Sequence, residues 1–391
     1  MTQAARKKLG GGARGRAIFE EVSGPSRAPV AAPGEADRIK TRARHWVAGW
    51  LMALAALVSA MVLVGGMTRL TDSGLSMVGW HPVLEAIPPL TAEDWAREFE
   101  RYQQTAQYRL VNFWMTVEDF KPIFWWEWGH RQFGRVIGLV WAVGLLFFAI
   151  RRMIPRGYWG WVIVPGLLGG VQAVVGWWMV YSGVAEGSEL VSVAPYRLTV
   201  HLGLAFLILG LLIWPAWRLR RTEVELLQAR RRRAGGVLGG AGVLVALCFV
   251  QILLGALVAG NDAGRGYTDW PLMNGAVLPP ESFALMPLWR NFIENAALVQ
   301  FNHRVAGYVL VLWALIWAIW ARRPRLPGLS RWGLYTLLIM LAQAAWGVVT
   351  VLHGAPLAHA LAHQAGAIAT LAVVLRARFE AAYPQEASLR G

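Results

Sequence analysis

Four of the eight histidines in this chain fall into two ordered sets with chemically suggestive neighbours. His130-Arg131 is echoed by His303-Arg304, and His201 is echoed by His363. Neutral imidazole is a common metal ligand, and two imidazoles at similar depth on nonadjacent helices have the geometry that clamps a haem iron from both faces. Glu127 stands three residues before His130, so on a helix the two face the same way; the matching position before His303 is Gln300. One set thus carries an acid/base group beside its ligand, the other a neutral amide. That asymmetry points to a chemical site in the first set and an electron-relay or structural site in the second. A partly desolvated carboxylate at position 127 is suited to proton transfer; pairing with Arg131 in headgroup water is the alternative.

The remaining candidates are weaker. His359 precedes His363 by one helical turn and is its rival as the last ligand. His45 adjoins a basic tail and reads as interfacial, whereas His81, His353 and His359 fall in or near connecting loops. Arg131 and Arg304 can pair with haem propionates or simply mark a membrane boundary. Zinc is disfavoured, because each set offers two histidines on separate helices with no cysteine and no carboxylate pair. The single cysteine, Cys248, lies in an apolar run, which excludes an intrachain disulfide and leaves packing as its role.

The elements that position these residues are membrane spans. Of 391 residues, 56% are hydrophobic and 16% charged, with 22 Trp, and the mean hydropathy is +0.41. A disordered chain is excluded and an ordinary soluble domain disfavoured. Eight apolar runs approach the length of a transmembrane helix, at 46–66, 133–150, 158–181, 198–217, 237–259, 305–321, 332–352 and, shorter, 360–374. The expectation is an all-α polytopic membrane protein with eight transmembrane helices. His130 and His303 then sit just before or at the outer starts of spans 2 and 6, and His201 and His363 a few residues into spans 4 and 8. Ionisable groups at such depth are by default functional.

The net charge of +15 reports topology rather than nucleic-acid binding. Alternate sides hold 27 Lys/Arg with 8 acids, on the side of the N-terminus, and 11 Lys/Arg with 15 acids opposite. The positive-inside rule makes both termini cytoplasmic. Residues 1–45 read as a disordered cytoplasmic tail without a cleaved signal, 218–236 as a basic cytoplasmic linker and 379–391 as a cytoplasmic tail. In the outer loop 67–132, Thr91-Ala-Glu-Asp94 predicts a helix N-terminus leading an amphipathic stretch to about Leu110.

The histidine echoes belong to a longer repeat. Thr71-Asp72-Ser73-Gly74 matches Asn261-Asp262-Ala263-Gly264, Trp80 matches Trp270, and Gln172 with Gly176 matches Gln343 with Gly347, all in the same order. Two four-helix bundles are expected, 46–217 and 237–378, related as a parallel repeat because four spans return the chain to its starting side.

Taken together, these motifs resemble the haem A synthase family in its proteobacterial and mitochondrial form. The matching segments are Gly65-Gly-Met-Thr-Arg-Leu-Thr-Asp-Ser-Gly-Leu-Ser76, Trp80-His-Pro82, Glu127-Trp-Gly-His130-Arg131, Val200-His201, Gly260-Asn-Asp-Ala-Gly264, Trp270-Pro-Leu-Met273, Phe301-Asn-His303-Arg304 and His363-Gln364. They span nearly all of residues 46–378, and the absence of cysteine pairs places the chain with the cysteine-free branch. The resemblance implies substrate haem O in the N-terminal half, held by His130 and His201 with Arg131, and haem b in the C-terminal half, held by His303 and His363 with Arg304. The Glu127/Gln300 asymmetry makes Glu127 the catalytic candidate, and the resemblance implies oxidation of the C8 methyl of haem O, through an alcohol, to the formyl group of haem A. Implied partners are haem O synthase, a ferredoxin-type or other electron donor, and cytochrome oxidase assembly as the downstream user; membrane lipid surrounds the spans, and some members form homo-oligomers. The implied location is the bacterial inner membrane, or the mitochondrial inner membrane in a eukaryote. A di-haem b-type electron carrier that makes no chemical product is the main rival. A transporter on parallel repeats is weakened by the lack of broken helices and paired charges in the spans.

Overall fold

The computed structural model describes residues 34–80, 84–323 and 326–385. His81, most of the expected N-terminal tail and the last six residues lie outside them. Eleven α-helices follow in order: α1 Glu35–Leu70, α2 Ala92–Gln103, α3 Val117–Ile150, α4 Trp159–Val184, α5 Pro195–Leu219, α6 Glu223–Arg231, α7 Gly235–Gly260, α8 Asn291–Glu294, α9 Ala296–Trp320, α10 Pro327–Leu352 and α11 Leu357–Ala382. Among the described residues there is no strand, only an isolated bridge between Met273 and Ala276.

Among the described residues eight helices, α1, α3, α4, α5, α7, α9, α10 and α11, are long and apolar enough to cross a membrane. Their surfaces say the same. Leu139, Val143 and Leu146 of α3, Leu167 and Val174 of α4, and Leu334 and Leu338 of α10 are all exposed, which in water would be an aggregating surface and in lipid is the ordinary one. The chain is a multi-pass membrane protein. Inside, one continuous apolar cluster runs from Leu51 and Leu54 of α1 through Leu209 and Leu212 of α5 to Leu244 of α7 and Val374 of α11. Cys248 is buried within it, in the packing role expected.

Several helices outrun the apolar windows that announce them. α3 starts at Val117, so His130 lies mid-helix rather than at its mouth. A capping box between Thr116 and Asp119 opens this outer extension, and an aromatic cluster of Phe99, Tyr102, Phe120 and Phe124 packs α2 against it. Packing, not lipid, sustains those first turns. α9 likewise starts at Ala296, two turns before His303, behind an Asn295 cap. The predicted helix N-terminus at Thr91 is present with its capping box, closed by Asp94.

On the opposite side, the segment read as a linker folds into α6, opened by a Thr222–Glu225 capping box. Leu226 and Ala229 of α6 bury Phe379 and Tyr383, so α11 runs beyond the expected end of the last span. α1 starts at Glu35, making 35–45 helical rather than tail.

Candidate functional site

The four repeated histidines lie on α3, α5, α9 and α11, and each packs against a glycine of the membrane helix before it, α1, α4, α7 or α10. A methyl group built on Gly65 would come 3.1 Å from His130 Cε1, on Gly176 3.0 Å from His201, on Gly255 3.1 Å from His303, and on Gly347 3.0 Å from His363. These four glycines seat the imidazoles: any β-carbon would press on the ring. The rings then meet in pairs. His130 faces His201 with ring centroids 6.5 Å apart, and His303 faces His363 at the same 6.5 Å. His359, the rival ligand, is stacked between Trp346 and His353 instead.

That spacing fits a metal between two axial imidazoles. A metal–nitrogen bond of about 2 Å on each side, with each ring centre roughly 1 Å further out, spaces the centroids by about 6 Å. Among the described residues no group of three or more His, Cys, Asp or Glu could hold a metal ion, so two-ligand binding of a metal already held by a macrocycle suits the donor set. All four imidazoles are only partly buried, and His201 Nδ1 is a buried nitrogen with no protein partner.

Glutamines tie three of the histidine turns. Gln172 Nε2 donates to the His201 carbonyl at 2.9 Å, Gln251 to that of His303 at 3.0 Å, and Gln343 to that of His363 at 2.8 Å. His130 has a hydroxyl instead: its Nδ1 lies 3.3 Å from Thr68 Oγ1.

One turn before His130 and His303, the halves diverge. Glu127 is 3% exposed. Its Oε2 accepts from Ser76 Oγ at 2.8 Å and from the Met77 N–H at 2.9 Å, and its Oε1 accepts from Arg131 at 2.7 Å. Every partner is a donor. Arg131 continues to Glu85 at 2.7 Å and to the carbonyls of Met77 and Gly79. Gln300, 1% exposed, instead donates to the carbonyls of Ala263 and Tyr267, while its Oε1 accepts from Arg304. Arg304 also reaches the carbonyls of Tyr267 and Leu272. Beyond the membrane, burial and the Glu281 carboxylate push the Tyr267 hydroxyl up to about 12.

This duplicated His–Gly architecture can be compared with known proteins. A family model described as cytochrome oxidase assembly protein matches residues 48–375. A Heme A synthase of Ruegeria pomeroyi is 53% identical over 378 residues, covering 96% of this chain and 99% of the relative. Heme A synthases of Dinoroseobacter shibae and Cereibacter sphaeroides are 53% and 50% identical, each covering 96% of this chain and 98% of the relative. The chain belongs to the haem A synthase family.

Within this haem A synthase framework, the structure pairs His130 with His201 and His303 with His363 and sets Glu127 against Arg131 and Gln300 against Arg304, while His81 of the motifs lies outside the described residues. Ser76, Met77 and Glu85 complete the surroundings of Glu127 and Arg131. Trp80 stacks on Trp177, the residue after the glycine that seats His201, at 5.8 Å and 10°; its counterpart Trp270 donates to the Tyr308 hydroxyl. Thr68 was visible in sequence only as one polar residue within a motif.

Proposed function

We propose that this chain makes haem A by oxidising the C8 methyl group of haem O, in two steps through an alcohol, to a formyl group. The observation that carries the reading is the pair of imidazoles in each half, seated on glycine at equal spacing, with a carboxylate beside only one pair. His130 and His201 hold the haem O substrate, and His303 and His363 hold haem b. Arg131 and Arg304 stand at the outer edge of each pair, where propionate charge would meet them. Bound haem b supplies one-electron transfer between a donor and the substrate half. Glu127 carries protons at the substrate methyl, and its donor-only surroundings keep its oxygens aimed as acceptors. Ser76, Met77 and Arg131 hold that carboxylate in place.

The two halves form four-helix bundles in parallel repeat, with both termini cytoplasmic in a bacterial inner membrane. Haem O synthase supplies the substrate, a ferredoxin-type protein donates electrons, and cytochrome oxidase assembly consumes the product. The test is haem extraction from membranes that make haem O, with and without this chain, followed by mass analysis. Formation of a formyl haem at the expense of haem O is expected. Unchanged haem O in membranes where the chain shows a low-spin b-type spectrum would overturn the reading and leave an electron carrier.

A further inference from the structure

The four histidines are not held alike, and the exception lies in the substrate half. In three cases a glutamine stands four residues before the seating glycine, at Gln172 and Gly176, Gln251 and Gly255, and Gln343 and Gly347. Each amide donates to the backbone carbonyl of its histidine at 2.8–3.0 Å. Four residues before Gly65 stands Met61, which has no hydrogen to donate. Its methyl group lies against Gly134, where Gln251 lies against Gly307 in the other half. The turn bearing His130 therefore lacks the amide tether.

What His130 has is Thr68, three residues after Gly65; the corresponding position in the second half is Val258. The Thr68 hydroxyl carries one proton. It is donated to the Val64 carbonyl at 2.9 Å, as is common for threonine inside a helix. Only lone pairs remain to face His130 Nδ1 at 3.3 Å, so the ring nitrogen is the donor of that contact. Nδ1 then carries the imidazole proton and Nε2 is left bare, the tautomer that a metal or a proton requires.

We propose that Thr68 is a positioning residue of the substrate site: it fixes His130 in the Nδ1–H tautomer and restrains its ring, while the missing glutamine tether, with Met61 in its place, leaves His130 the exchangeable ligand of the pair and His201 the fixed one. The proposal rests on the reading that this pair holds a haem. One ligand must yield if a small molecule is to reach the iron of a haem clamped on both faces, and the less tethered one yields first. His130 also lies one turn from Glu127, so the face that opens is the face beside the carboxylate.

The test uses full-length protein in detergent with haem b bound in both halves, reduced and titrated with carbon monoxide, with absorption spectra recorded throughout. Thr68→Val is expected to weaken the low-spin band and tighten carbon monoxide binding about fivefold to tenfold, the equivalent of one hydrogen bond. Thr68→Ser restores the hydroxyl and should behave as wild type. Met61→Gln supplies the missing tether and should weaken carbon monoxide binding by a similar factor with haem content unchanged. If Thr68→Val leaves both the low-spin band and carbon monoxide binding as in wild type, the proposal is wrong. His130→Ala and His201→Ala separate the two levels of the argument. If neither alters haem content or carbon monoxide binding, the haem reading of this half fails; if both do while Thr68→Val does not, only the role of Thr68 fails.

Discussion

At matching positions of the two halves, the same backbone offers opposite hydrogen-bonding faces. Residue 77 in the first half presents its N–H to Glu127, and residue 267 in the second presents its C=O to Gln300. The arginine four residues on reaches the carbonyl of both, from Arg131 to Met77 at 2.9 Å and from Arg304 to Tyr267 at 3.1 Å. Histidine spacing, seating glycines and the arginine–carbonyl contact are common to the two halves, and apart from the Met61 and Thr68 positions and the Arg131–Glu85 pair the difference lies in what the loop asks of one side chain. A loop of donors selects an acceptor-only carboxylate, and a loop of acceptors selects an amide. The acid at position 127 is therefore not a local accident in an otherwise duplicated site, because its loop is built to hold an anion.

The comparison is most severely tested by removing ligands. His303→Ala or His363→Ala should abolish the low-spin b-type spectrum of the second half, and His359→Ala should leave it intact, as expected of a ring stacked on Trp346 rather than facing His303. Absorption spectra of the purified variants decide it. Loss of the spectrum in His359→Ala with its retention in His363→Ala would reverse the assignment.

Next in size is the carboxylate itself. Glu127→Gln should lower haem A formation about 10²- to 10⁴-fold, the usual contribution of a general acid–base group. The amide also turns its N–H₂ toward donors, either Met77 and Ser76 or Arg131, so some of the loss can come from a disturbed loop. Ser76→Ala separates the two causes: it removes one donor and leaves the acid, so haem A formation should stay within about tenfold of wild type. Gln300→Glu is the reciprocal change. It sets a buried carboxylate against the carbonyls of Ala263 and Tyr267 and should destabilise the second half by about 1–3 kcal/mol, read from thermal unfolding. An unaltered melting temperature in Gln300→Glu would mean that loop polarity does not select the side chain.

The histidine pairs were legible in sequence because they depend on residue type and spacing alone, which survive without knowledge of contacts. The Thr91 helix start was legible for the same reason: a capping box is a local signal. The outer turns of α3 were not, because they lack an apolar window and depend on Phe99 and Tyr102 of another helix. The contacts of Ser76 with Glu127 and of Glu85 with Arg131 were hidden because they span 51 and 46 residues and leave no periodicity. The end of α11 was missed because Phe379 and Tyr383 are buried by α6, itself a charged segment that reads as linker.

A smaller effect is expected at the seats. Gly176→Ala and Gly347→Ala each bring a β-carbon to 3.0 Å from a ring carbon, tighter than packed atoms accept, and force that imidazole outward by a few tenths of an ångström. Shifted absorption bands with haem retained are expected in both halves alike. A variant affecting only one half would show that the seats, too, have diverged.

The smallest effect concerns the contact that joins the two outer turns. Arg69, in the last turn of α1, donates to Asp72 at 3.1 Å and to Asp262 at 2.7 Å. These two aspartates occupy equivalent left-handed positions in the repeated turns, with φ of 53° and 47°. Burial chiefly, and then the charge of Asp262, raise the Asp72 carboxyl above its ordinary value, while Arg69 opposes the rise. Both carboxylates are about half exposed, so Arg69→Gln should cost only about 1 kcal/mol at neutral pH. The sign of the pH dependence follows from the direction of the shift. A carboxyl that binds its proton more tightly in the folded state gains stability as pH falls, and removing Arg69 raises that affinity further. The deficit of Arg69→Gln should therefore shrink as the pH is lowered from neutral into the acid range, as Asp72 takes up a proton and its repulsion from Asp262 is relieved. A deficit that stays constant over that range, measured by thermal unfolding against wild type, would mean that the arginine acts through packing rather than by holding two like charges together.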